Sequence, residues 1–254
     1  MKRTKTEEPA TGFAGRTAMV IGGSRGLGRA VALALARDGA RVLAVGRSAG
    51  PLVELRSIAA ARELSIETAR ADALRPARVR ALLRRAAGRA GAPDMLVHAA
   101  GDYWEGPFSR LTRERWDALV ASNVTSALVA IREALPGMRR RRYGRILLFG
   151  VAGGDVPRAA SRAHAYRAVK TALLTLARSV AQEEAANGIT VNVILPGIIA
   201  TPGMPRRWSG AARRIPAGRF GTPHEVARAA LFLLAEESGY VNGAALHVSG
   251  GYLL

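Results

Sequence analysis

The sequence predicts an α/β protein with one parallel β-sheet and helices on both of its faces. Short apolar segments alternate with longer amphipathic ones along nearly the whole chain. The apolar segments are hydrophobic throughout rather than at every second residue, as expected for strands that are buried on both faces. A strand–helix–strand alternation of this kind requires right-handed crossovers, which leave helices on either side of the sheet. No linker or shift in composition divides the 254 residues, so we expect a single domain.

The predicted elements follow one another in a regular order. Strands are predicted at 16–23, 40–46, 65–72, 94–100, 145–150, 189–195 and 244–250, of which 65–72 has the weakest pattern. Helices are predicted at 26–38, 51–63, 75–90, 112–137, 163–187 and 223–235. The first helix illustrates the pattern, because Leu27, Val31 and Leu35 recur every four residues. Residues 1–14 are polar and aperiodic and are predicted to be a flexible leader, with the folded domain at 15–254.

The composition excludes several kinds of site. The chain has no cysteine, which rules out disulfides, thiolate catalysis and cysteine-bound metals. The four histidines lack the spacing of a metal site, so no metal is expected; they are His98, His164, His224 and His247. The sequence shows no signal peptide and no apolar run of about 18 residues. We therefore expect a cytoplasmic protein with no membrane partner.

The net charge of +19 comes mainly from arginine, since lysine occurs only at positions 2, 5 and 170. This charge fits a nucleic-acid surface, a coding bias towards Ala, Arg and Gly, or attraction to an acidic carrier or substrate. The arginines lie on nearly every predicted helix and are not interleaved with aromatic residues. This distribution favours the coding bias, and no nucleic-acid partner is expected.

A glycine-rich segment joins the first predicted strand to the first helix. Residues 22–28 read GGSRGLG. In a doubly wound fold, such a turn lets backbone N–H groups and a helix N-terminus approach a pyrophosphate without obstruction by Cβ atoms. A tight turn alone would also use glycines. The strand before it, the helix after it and a second strand ending near residue 46 predict a dinucleotide site.

The end of the second strand discriminates between NAD and NADP. A carboxylate there would accept hydrogen bonds from the adenosine ribose of NAD, but residues 44–48 read AVGRS and contain no acid. Arg25 and Arg47 could instead neutralise a 2′-phosphate as forked donors. Chance placement is the alternative explanation in a chain with so many arginines. The missing acid favours NADP(H).

Further landmarks occur in one order along the chain. They are Asp72 after the third strand, HAAG at 98–101, Asn123 within SNVTS, Tyr166 four residues before Lys170, and PGIIAT at 196–201. Together with the glycine loop, they resemble the short-chain dehydrogenase/reductase family over residues 15–254. The segment 215–251 is similar to the tail of the 3-oxoacyl-carrier-protein reductases within that family.

The resemblance implies a Rossmann-type doubly wound fold, with a mainly seven-stranded parallel sheet, and roles for single residues. Tyr166 matches the general acid that protonates a carbonyl oxygen. Lys170 matches the residue that binds the nicotinamide ribose and brings positive charge to the phenol, whose ordinary pKa is about 10. Asn123 matches the residue that bends its helix and binds a water of the proton relay. The residues expected to contact the cofactor are Gly22, Ser24, Arg25, Gly26, Leu27, Gly28, Arg47, Asp72, Ala73, Ala99, Ala100, Gly101, Tyr166, Lys170, Pro196, Gly197, Ile199 and Thr201.

The chain departs from the family pattern at three positions. Ile21 replaces a threonine, and His98 begins the turn that usually reads Asn-Ala-Gly. Both are interpreted as structural, with the His98 ring donating a hydrogen bond to a neighbouring backbone group. Val151 aligns with the catalytic serine, whose hydroxyl would hydrogen-bond the substrate carbonyl. The predicted tetrad is therefore Asn-Val-Tyr-Lys.

The loop between Val151 and Tyr166 is about two residues longer than is usual in carrier-protein reductases, by the resemblance. Asp155, Ser161 or His164 could supply a substitute donor from it. The substrate pocket is predicted to contain Val151, Tyr103, Trp104 and Ser161, with residues 201–215 as a lid.

The favoured function is NADP(H)-dependent reduction of a ketone, a conjugated carbonyl or an imine, in a biosynthetic role. The alternatives are a non-redox dehydratase, isomerase or cyclase that uses Tyr166, or a catalytically impaired partner subunit. The substrate is expected to be a small molecule or to be bound to a carrier protein. The resemblance also implies a homotetramer or dimer, with Trp116, Leu119 and Val120 among its apolar contacts.

Overall fold

Seven parallel strands form one sheet in the computed structural model, which describes residues 12–87, 92–156, 158–160, 162–202, 204, 208 and 210–254. The strands are β1 (Thr17–Ile21), β2 (Arg41–Gly46), β3 (Ile66–Arg70), β4 (Met95–His98), β5 (Gly144–Phe149), β6 (Ile189–Pro196) and β7 (Ala245–Val248). Their order is β3-β2-β1-β4-β5-β6-β7, and every neighbouring pair is parallel. The order reverses between β1 and β4, which is where open α/β sheets bind ligands. The predicted Rossmann-type fold is confirmed.

Helices connect the strands and cover both faces of the sheet. They are α1 (Gly26–Arg37), α2 (Ala49–Ala60), α3 (Pro76–Ala87), α4 (Arg113–Val120), α5 (Ser126–Arg141), α6 (His164–Glu184) and α7 (Pro223–Leu234). The predicted elements agree with these bounds to within a few residues, and the weak strand is present as β3. The predicted end of the third helix, at 88–90, lies outside the described residues. The single helix predicted at 112–137 is instead two helices joined by the π-helical turn Ala121–Thr125.

The central strands are mainly apolar because each face packs against helices. Every residue of β1, β4 and β5 is buried. Met19 belongs to a cluster with Ile131 of α5, and its neighbour Val20 belongs to a second cluster with Val31 of α1 and Val226 of α7. Successive strand residues point to opposite faces. The two clusters are therefore the two halves of the core, and they hold the strand ends that carry the site.

The π-helical turn is associated with a buried amide. Asn123 is 0% exposed, and its Nδ2 donates to the backbone carbonyl of Leu119 at 3.0 Å. This side-chain hydrogen bond takes a carbonyl that a backbone N–H would bind in a regular α-helix, which accounts for the wider turn. The bend that the resemblance implied at Asn123 is thus a π-helical turn.

The packed fold begins before residue 15. Phe13 is 5% exposed and packs with the core cluster that contains Val31, and its N–H donates to the carbonyl of Asp38 at 3.0 Å. The inner end of the predicted leader is therefore part of the folded domain. Residues 1–11 lie outside the described residues.

The helical segment Arg113–Arg141, taken through the π-helical turn, is long and apolar enough to span a membrane by length and composition alone. The expectation from the sequence concerned an unbroken apolar run, and the longest uncharged stretch of this segment is only 118–131, between Asp117 and Arg132. Core helices of globular proteins pass the same test, and Leu119, Asn123 and Ala127 of this segment are buried within the domain. We interpret the segment as a core element.

Candidate active site

The glycine-rich turn between β1 and α1 packs closely against the loop after β4. Gly22 has a φ of 80°, and a Cβ there would lie 2.7 Å from the backbone nitrogen of Ala100. A Cβ on Gly28 would lie 2.3 Å from the carbonyl oxygen of Gly22. Both positions therefore require glycine. Helix α1 begins at Gly26 with no side-chain capping hydrogen bond from Arg25, so its first backbone N–H groups can bind an anion.

A cleft of about 440 Å³ lies at the carboxyl ends of the central strands. It is lined by most of the residues predicted to bind the cofactor. These are Gly22, Ser24, Arg25, Gly26, Leu27, Gly28, Arg47, Asp72, Ala73, Ala99, Ala100, Gly101, Tyr166, Lys170 and Pro196. Motifs that are far apart in the chain therefore converge on one cleft.

Three residues predicted to contact the cofactor are absent from the described lining of this cleft. They are Gly197, Ile199 and Thr201, which lie beyond the end of β6. A Cβ on Gly197 would lie 2.7 Å from the Cα of Ser249, so close packing requires this glycine. Ile199 forms an isolated β-bridge with Gly221. The cofactor contacts of these three residues stay predictions.

The cleft also contains residues that the sequence did not single out. Ser122 and Ser126 flank Asn123, and Phe149 and Gly150 stand at the end of β5. The two serines could have been found from their spacing, because residues four apart on a helix lie on the same face. The ends of buried strands are a second signal, since ligands bind outside the carboxyl ends of parallel strands.

Tyr166 and Lys170 lie one turn apart on α6 and both line the cleft. The Nζ of Lys170 lies 5.6 Å from the centroid of the Tyr166 ring and donates to the carbonyl of Phe149 at 2.7 Å. The ring of Tyr103 meets the Tyr166 ring edge-on, with centroids 4.9 Å apart. The phenol therefore stands beside a buried ammonium and an aromatic ring from the loop after β4.

Burial controls the protonation of this pair. It raises the pKa of Tyr166 to about 12 and lowers the pKa of Lys170 to about 8. The expectation that nearby charge would bring the phenol towards neutral pH is not met in the cofactor-free protein. At pH 7 the phenol is protonated and the ammonium is charged, so Tyr166 is a proton donor.

The buried ammonium predicts a stability that rises with pH. The pKa of Lys170 is about 8 in the folded protein and 10.5 ordinarily, so the unfolded chain binds more protons between these values. The free energy of unfolding should therefore increase with pH there, by about 2 kcal/mol between about pH 8 and pH 9.5. Urea unfolding of the cofactor-free protein at both pH values measures this rise.

The control for that measurement is Lys170→Met. The chain has no cysteine to titrate in this window, and the buried tyrosines act in the opposite direction, because burial raises the pKa of Tyr143 and of Tyr166. The rise should vanish in the variant. An equal rise in the variant would assign the effect to other groups.

Asn123 connects the cleft to the loop after β4. Its Nδ2 donates to the carbonyl of Asp102 at 3.0 Å. Its Oδ1 is buried and has no hydrogen-bond partner within the described part of the chain. A Cβ on Gly101 would lie 2.2 Å from this oxygen. A buried, unpaired acceptor beside the cleft is compatible with the water-binding role that the resemblance implied.

His98 has a structural hydrogen bond. Its Nε2 lies 2.8 Å from the Oγ of Ser126, and that hydroxyl donates to the carbonyl of Ser122 at 2.7 Å. Since the hydroxyl proton is already used, Nε2 carries the proton that His98 donates. Burial, with a smaller contribution from the charge of Lys170, lowers the pKa of His98 to about 3. The partner of Nε2 is a side-chain hydroxyl, and a backbone hydrogen bond of the His98 ring opposes the lowering of its pKa.

The loop after β5 is held by α6. Val151 lies two residues beyond the end of β5 and is partly exposed. The guanidinium of Arg167, which is mostly buried, donates to the carbonyls of Ala152 at 2.8 Å and Gly153 at 3.0 Å. Because Arg167 directly follows Tyr166, the same helix positions both the phenol and this loop. The match of Val151 to the catalytic serine stays a prediction.

The suggested substitute donors are in different environments. Asp155 accepts a hydrogen bond from the Nε2 of His247 at 3.0 Å, and this bond holds the pKa of Asp155 below its usual range. An ionised carboxylate cannot donate a hydrogen bond. The Nε2 of His164 is buried without a hydrogen-bond partner among the described residues. Ser161 lies outside the described residues.

Aromatic side chains stand on the Tyr166 side of the cleft. Tyr103 is 48% exposed and touches the Tyr166 ring, which fits its predicted place in the substrate pocket. Trp104 packs in a small cluster with Tyr166 and contacts the ring of His164, with centroids 5.6 Å apart. Phe108 also contacts His164 and is 76% exposed. Trp104 is thus partly a packing residue.

A second pocket of about 520 Å³, here called the basic pocket, adjoins the cleft at the ends of β2 and β3. It is lined by Arg47, Arg70, Ala71, Asp72, Arg75 and Arg78. Arg47, Ala71 and Asp72 belong to both the cleft and the basic pocket. Three of its four arginines were not predicted as site residues. Arg70 could have been found from the strand order, because it pairs in register with Gly46.

The family follows from comparison with known proteins. Residues 21–253 match the family model described as enoyl-(acyl carrier protein) reductase. The chain is a short-chain dehydrogenase/reductase. This short-chain dehydrogenase/reductase is 33% identical over 244 residues to 3-oxoacyl-(acyl-carrier-protein) reductase FabG of Escherichia coli (strain K12), covering 94% of this chain and 98% of that protein.

Two solved structures resemble this short-chain dehydrogenase/reductase closely. A putative gluconate dehydrogenase from Agrobacterium tumefaciens has a TM-score of 0.88 and 33% identity, over 97% of this chain and 99% of that one. A putative NAD(P)-dependent gluconate 5-dehydrogenase from Beutenbergia cavernae, with bound NADP at low occupancy, has a TM-score of 0.87 and 32% identity. That match covers 96% of this chain and 99% of that one. The resemblance drawn from the sequence motifs is confirmed.

Proposed function

We propose that this short-chain dehydrogenase/reductase is an NADP(H)-dependent reductase of a carbonyl-type substrate, namely a ketone, a conjugated carbonyl or an imine. The observation that carries the proposal is the joint placement of Tyr166 and Lys170 in a cleft that begins at an uncapped helix N-terminus. The Escherichia coli relative is named as a reductase of 3-oxoacyl groups, which supports the same reaction direction. A cytoplasmic, biosynthetic role is part of the proposal.

The residues present fit a dinucleotide. Gly22 and Gly28 leave no room for a Cβ, and the N-terminus of α1 offers N–H groups to a pyrophosphate. Lys170 and Tyr166 would then face the nicotinamide half, and Asp72 the adenine half. When bound, NADP(H) supplies the hydride.

The end of β2 supports NADP(H) over NAD(H). A Cβ on Gly46 would lie 2.6 Å from the Oγ of Ser24, so an acid that accepts from the ribose does not fit at this position. Arg47 lies next in the chain, at the mouth of the basic pocket. Several guanidinium groups within one pocket favour a ligand that carries an additional phosphate.

The chain's own residues supply the proton chemistry. Tyr166, protonated at neutral pH, delivers a proton to the substrate oxygen or nitrogen. The charge of Lys170 stabilises the phenolate that remains. The side chain of Val151 offers no hydrogen-bond donor. A substrate that is already polarised, such as an iminium or an internally hydrogen-bonded ketone, therefore suits this pocket best. It would arrive as a small molecule or on a carrier protein.

NADPH should bind more tightly than NADH. Hydrogen bonds from guanidinium groups to a charged ligand contribute about 1.5–3 kcal/mol, which corresponds to a ratio of dissociation constants of about 10 to 100. Titration of the pure protein with both reduced cofactors measures the ratio. Arg47→Ala should lower this ratio. Arg113→Ala removes an exposed arginine from α4, outside the cleft, and should leave the ratio unchanged. Equal or tighter binding of NADH would defeat the NADP(H) proposal.

Activity is tested by following NADPH absorbance with a panel of ketones, conjugated carbonyls and imines. Steady loss of absorbance with a substrate supports the reductase. Product formed without that loss would indicate a non-redox catalyst. Cofactor binding with no turnover of any substrate would indicate an impaired subunit.

A homodimer or homotetramer is also proposed. Trp116 and Leu128 are each 37% exposed on α4 and α5, and Phe232 on α7 is 55% exposed. Leu119, which the sequence assigned to this surface, is 1% exposed and packs in a cluster within the chain, so its assignment was wrong. Val120 is partly exposed, and its place in the contact stays a prediction. Light scattering at micromolar concentration would measure the assembly.

A further inference from the structure

We propose that Asp102 sets the strength of cofactor discrimination, because its carboxylate competes with the 2′-phosphate of NADP(H) for the guanidinium of Arg47. The inference rests on the proposed NADP(H)-dependent function and adds to it a residue that lowers NADP(H) affinity. We call the contact between the two side chains the Arg47–Asp102 bridge. It joins an Nη2 of Arg47 to an Oδ1 of Asp102 at 2.8 Å.

The Arg47–Asp102 bridge passes over the glycine-rich turn. Arg47 directly follows β2, and Asp102 lies in the loop that follows β4. In the sheet, β1 lies between these two strands. Neighbouring strands are about 4.8 Å apart, so the bridge spans about 10 Å across the carboxyl end of β1. The glycine-rich turn begins at that end, and the adenosine side of a dinucleotide would lie there.

The main chain of Asp102 is fixed by two hydrogen bonds. The N–H of Asp102 donates to the Oγ of Ser122 at 3.1 Å, and its carbonyl accepts from the Nδ2 of Asn123 at 3.0 Å. Both partners belong to the π-helical turn. The Asp102 carboxylate is therefore presented from a fixed main chain at the edge of the cleft.

The Arg47 end depends on a long side chain. Its side chain is 64% exposed, and that of Asp102 is 44% exposed, so the bridge is in contact with solvent. Exposed ion pairs of this kind are weak. The guanidinium can therefore exchange one anionic partner for another without a large cost.

A 2′-phosphate would be such a partner. Arg47 lines both the cleft and the basic pocket, so its guanidinium lies where the adenosine ribose of a bound cofactor would meet the pocket arginines. A phosphate has more negative charge than a carboxylate and accepts forked hydrogen bonds from arginine. Asp102 would then lose its partner and remain close to a second anion. Its carboxylate must therefore weaken NADP(H) binding relative to a neutral side chain of the same size.

The test uses two fragments that differ only in the phosphate concerned. Adenosine 2′,5′-bisphosphate and adenosine 5′-monophosphate are titrated calorimetrically into the wild-type protein and into Asp102→Asn. The variant should bind the bisphosphate about two- to fivefold more tightly, the range expected for loss of one exposed competing ion pair. The monophosphate should bind equally well to both. NADPH should follow the bisphosphate.

Two further variants separate the possible causes. In an Arg47→Ala background, Asp102→Asn should give no gain, because the competition needs the guanidinium. Asp117→Asn, which removes the carboxylate of another exposed arginine pair on α4, should leave both fragments unaffected. This control excludes an effect of net charge alone.

Three results would overturn the inference. Weaker binding of the bisphosphate by Asp102→Asn would show that Asp102 orients Arg47 for the phosphate. An equal gain for both fragments would show that the bridge only obstructs the cleft. A gain that persists without Arg47 would show direct repulsion. If the wild-type protein preferred NADH, the proposed function would fail, but the fragment comparison would still report the competition.

Discussion

Replacing Tyr166 with phenylalanine should lower kcat by about 10²–10⁴-fold, the range that general-acid catalysis supplies. The phenol is the proton donor that lines the cleft beside Lys170, and its pKa of about 12 keeps it protonated at neutral pH. The phenyl ring would keep its edge-on contact with Tyr103. NADPH binding should therefore change little while turnover is lost. Steady-state kinetics and cofactor titration of the same preparation measure both quantities.

Tyr143→Phe is the matched control for this change. The guanidinium groups of Arg16 and Arg145 lie 4.2 and 4.5 Å from the centroid of the Tyr143 ring, which does not line the cleft. Removal of this hydroxyl should leave kcat unchanged. Wild-type activity in Tyr166→Phe would show that other groups perform the chemistry in the same cleft.

Introducing a serine at Val151 should raise kcat towards a simple ketone, by up to about 10²–10³-fold. That range is the contribution of a single donor to the charge that develops on a carbonyl oxygen. Val151 is partly exposed, so a hydroxyl there has little desolvation cost. The loop is fixed by Arg167 and was not shaped around a donor at this position, which will reduce the gain. Rates with NADPH and a series of unactivated ketones measure the effect.

Two other substitutions separate the hydroxyl from the change in volume. Val151→Thr adds a hydroxyl at nearly constant shape, and Val151→Ala removes volume without adding a donor. Serine and threonine should both raise kcat, and alanine should not. A gain with alanine equal to that with serine would attribute the effect to space. For a substrate that is already polarised, all three variants should leave turnover unchanged or lower.

The fold could be predicted because its determinants are local. Strands such as 144–149 contain an unbroken apolar run, here at 146–149, and helices such as 164–184 have a clear apolar face, so period and length identify both. The division of 112–137 into two helices could not be predicted in this way. It depends on one hydrogen bond from Asn123 to Leu119, and no periodicity in the sequence records that bond.

The candidate site was predicted to the extent that it is made of motifs. The glycine loop, Tyr166 and Lys170, which the motifs singled out, all line one cleft. The pKa values of Tyr166 and Lys170 could not be predicted. The sequence shows that an ammonium is near the phenol, but it does not show how deeply both groups are buried. The ion pair between Arg47 and Asp102 could not be predicted either. It forms because the strand order brings the ends of β2 and β4 to either side of β1.

The π-helical turn also determines how many residues can stand between α4 and α5. Each residue of a helix advances it by about 100°. Deleting one residue from Ala121–Thr125 would let the turn close as an ordinary α-helical turn, because a π-helical turn holds one residue more. Inserting one residue would instead rotate α5 against α4 by about that angle. Leu119 and Ala127 could then no longer both face the interior, and Asn123 would leave the edge of the cleft. Point substitutions can be absorbed at the outer positions of this turn, but an inserted residue cannot.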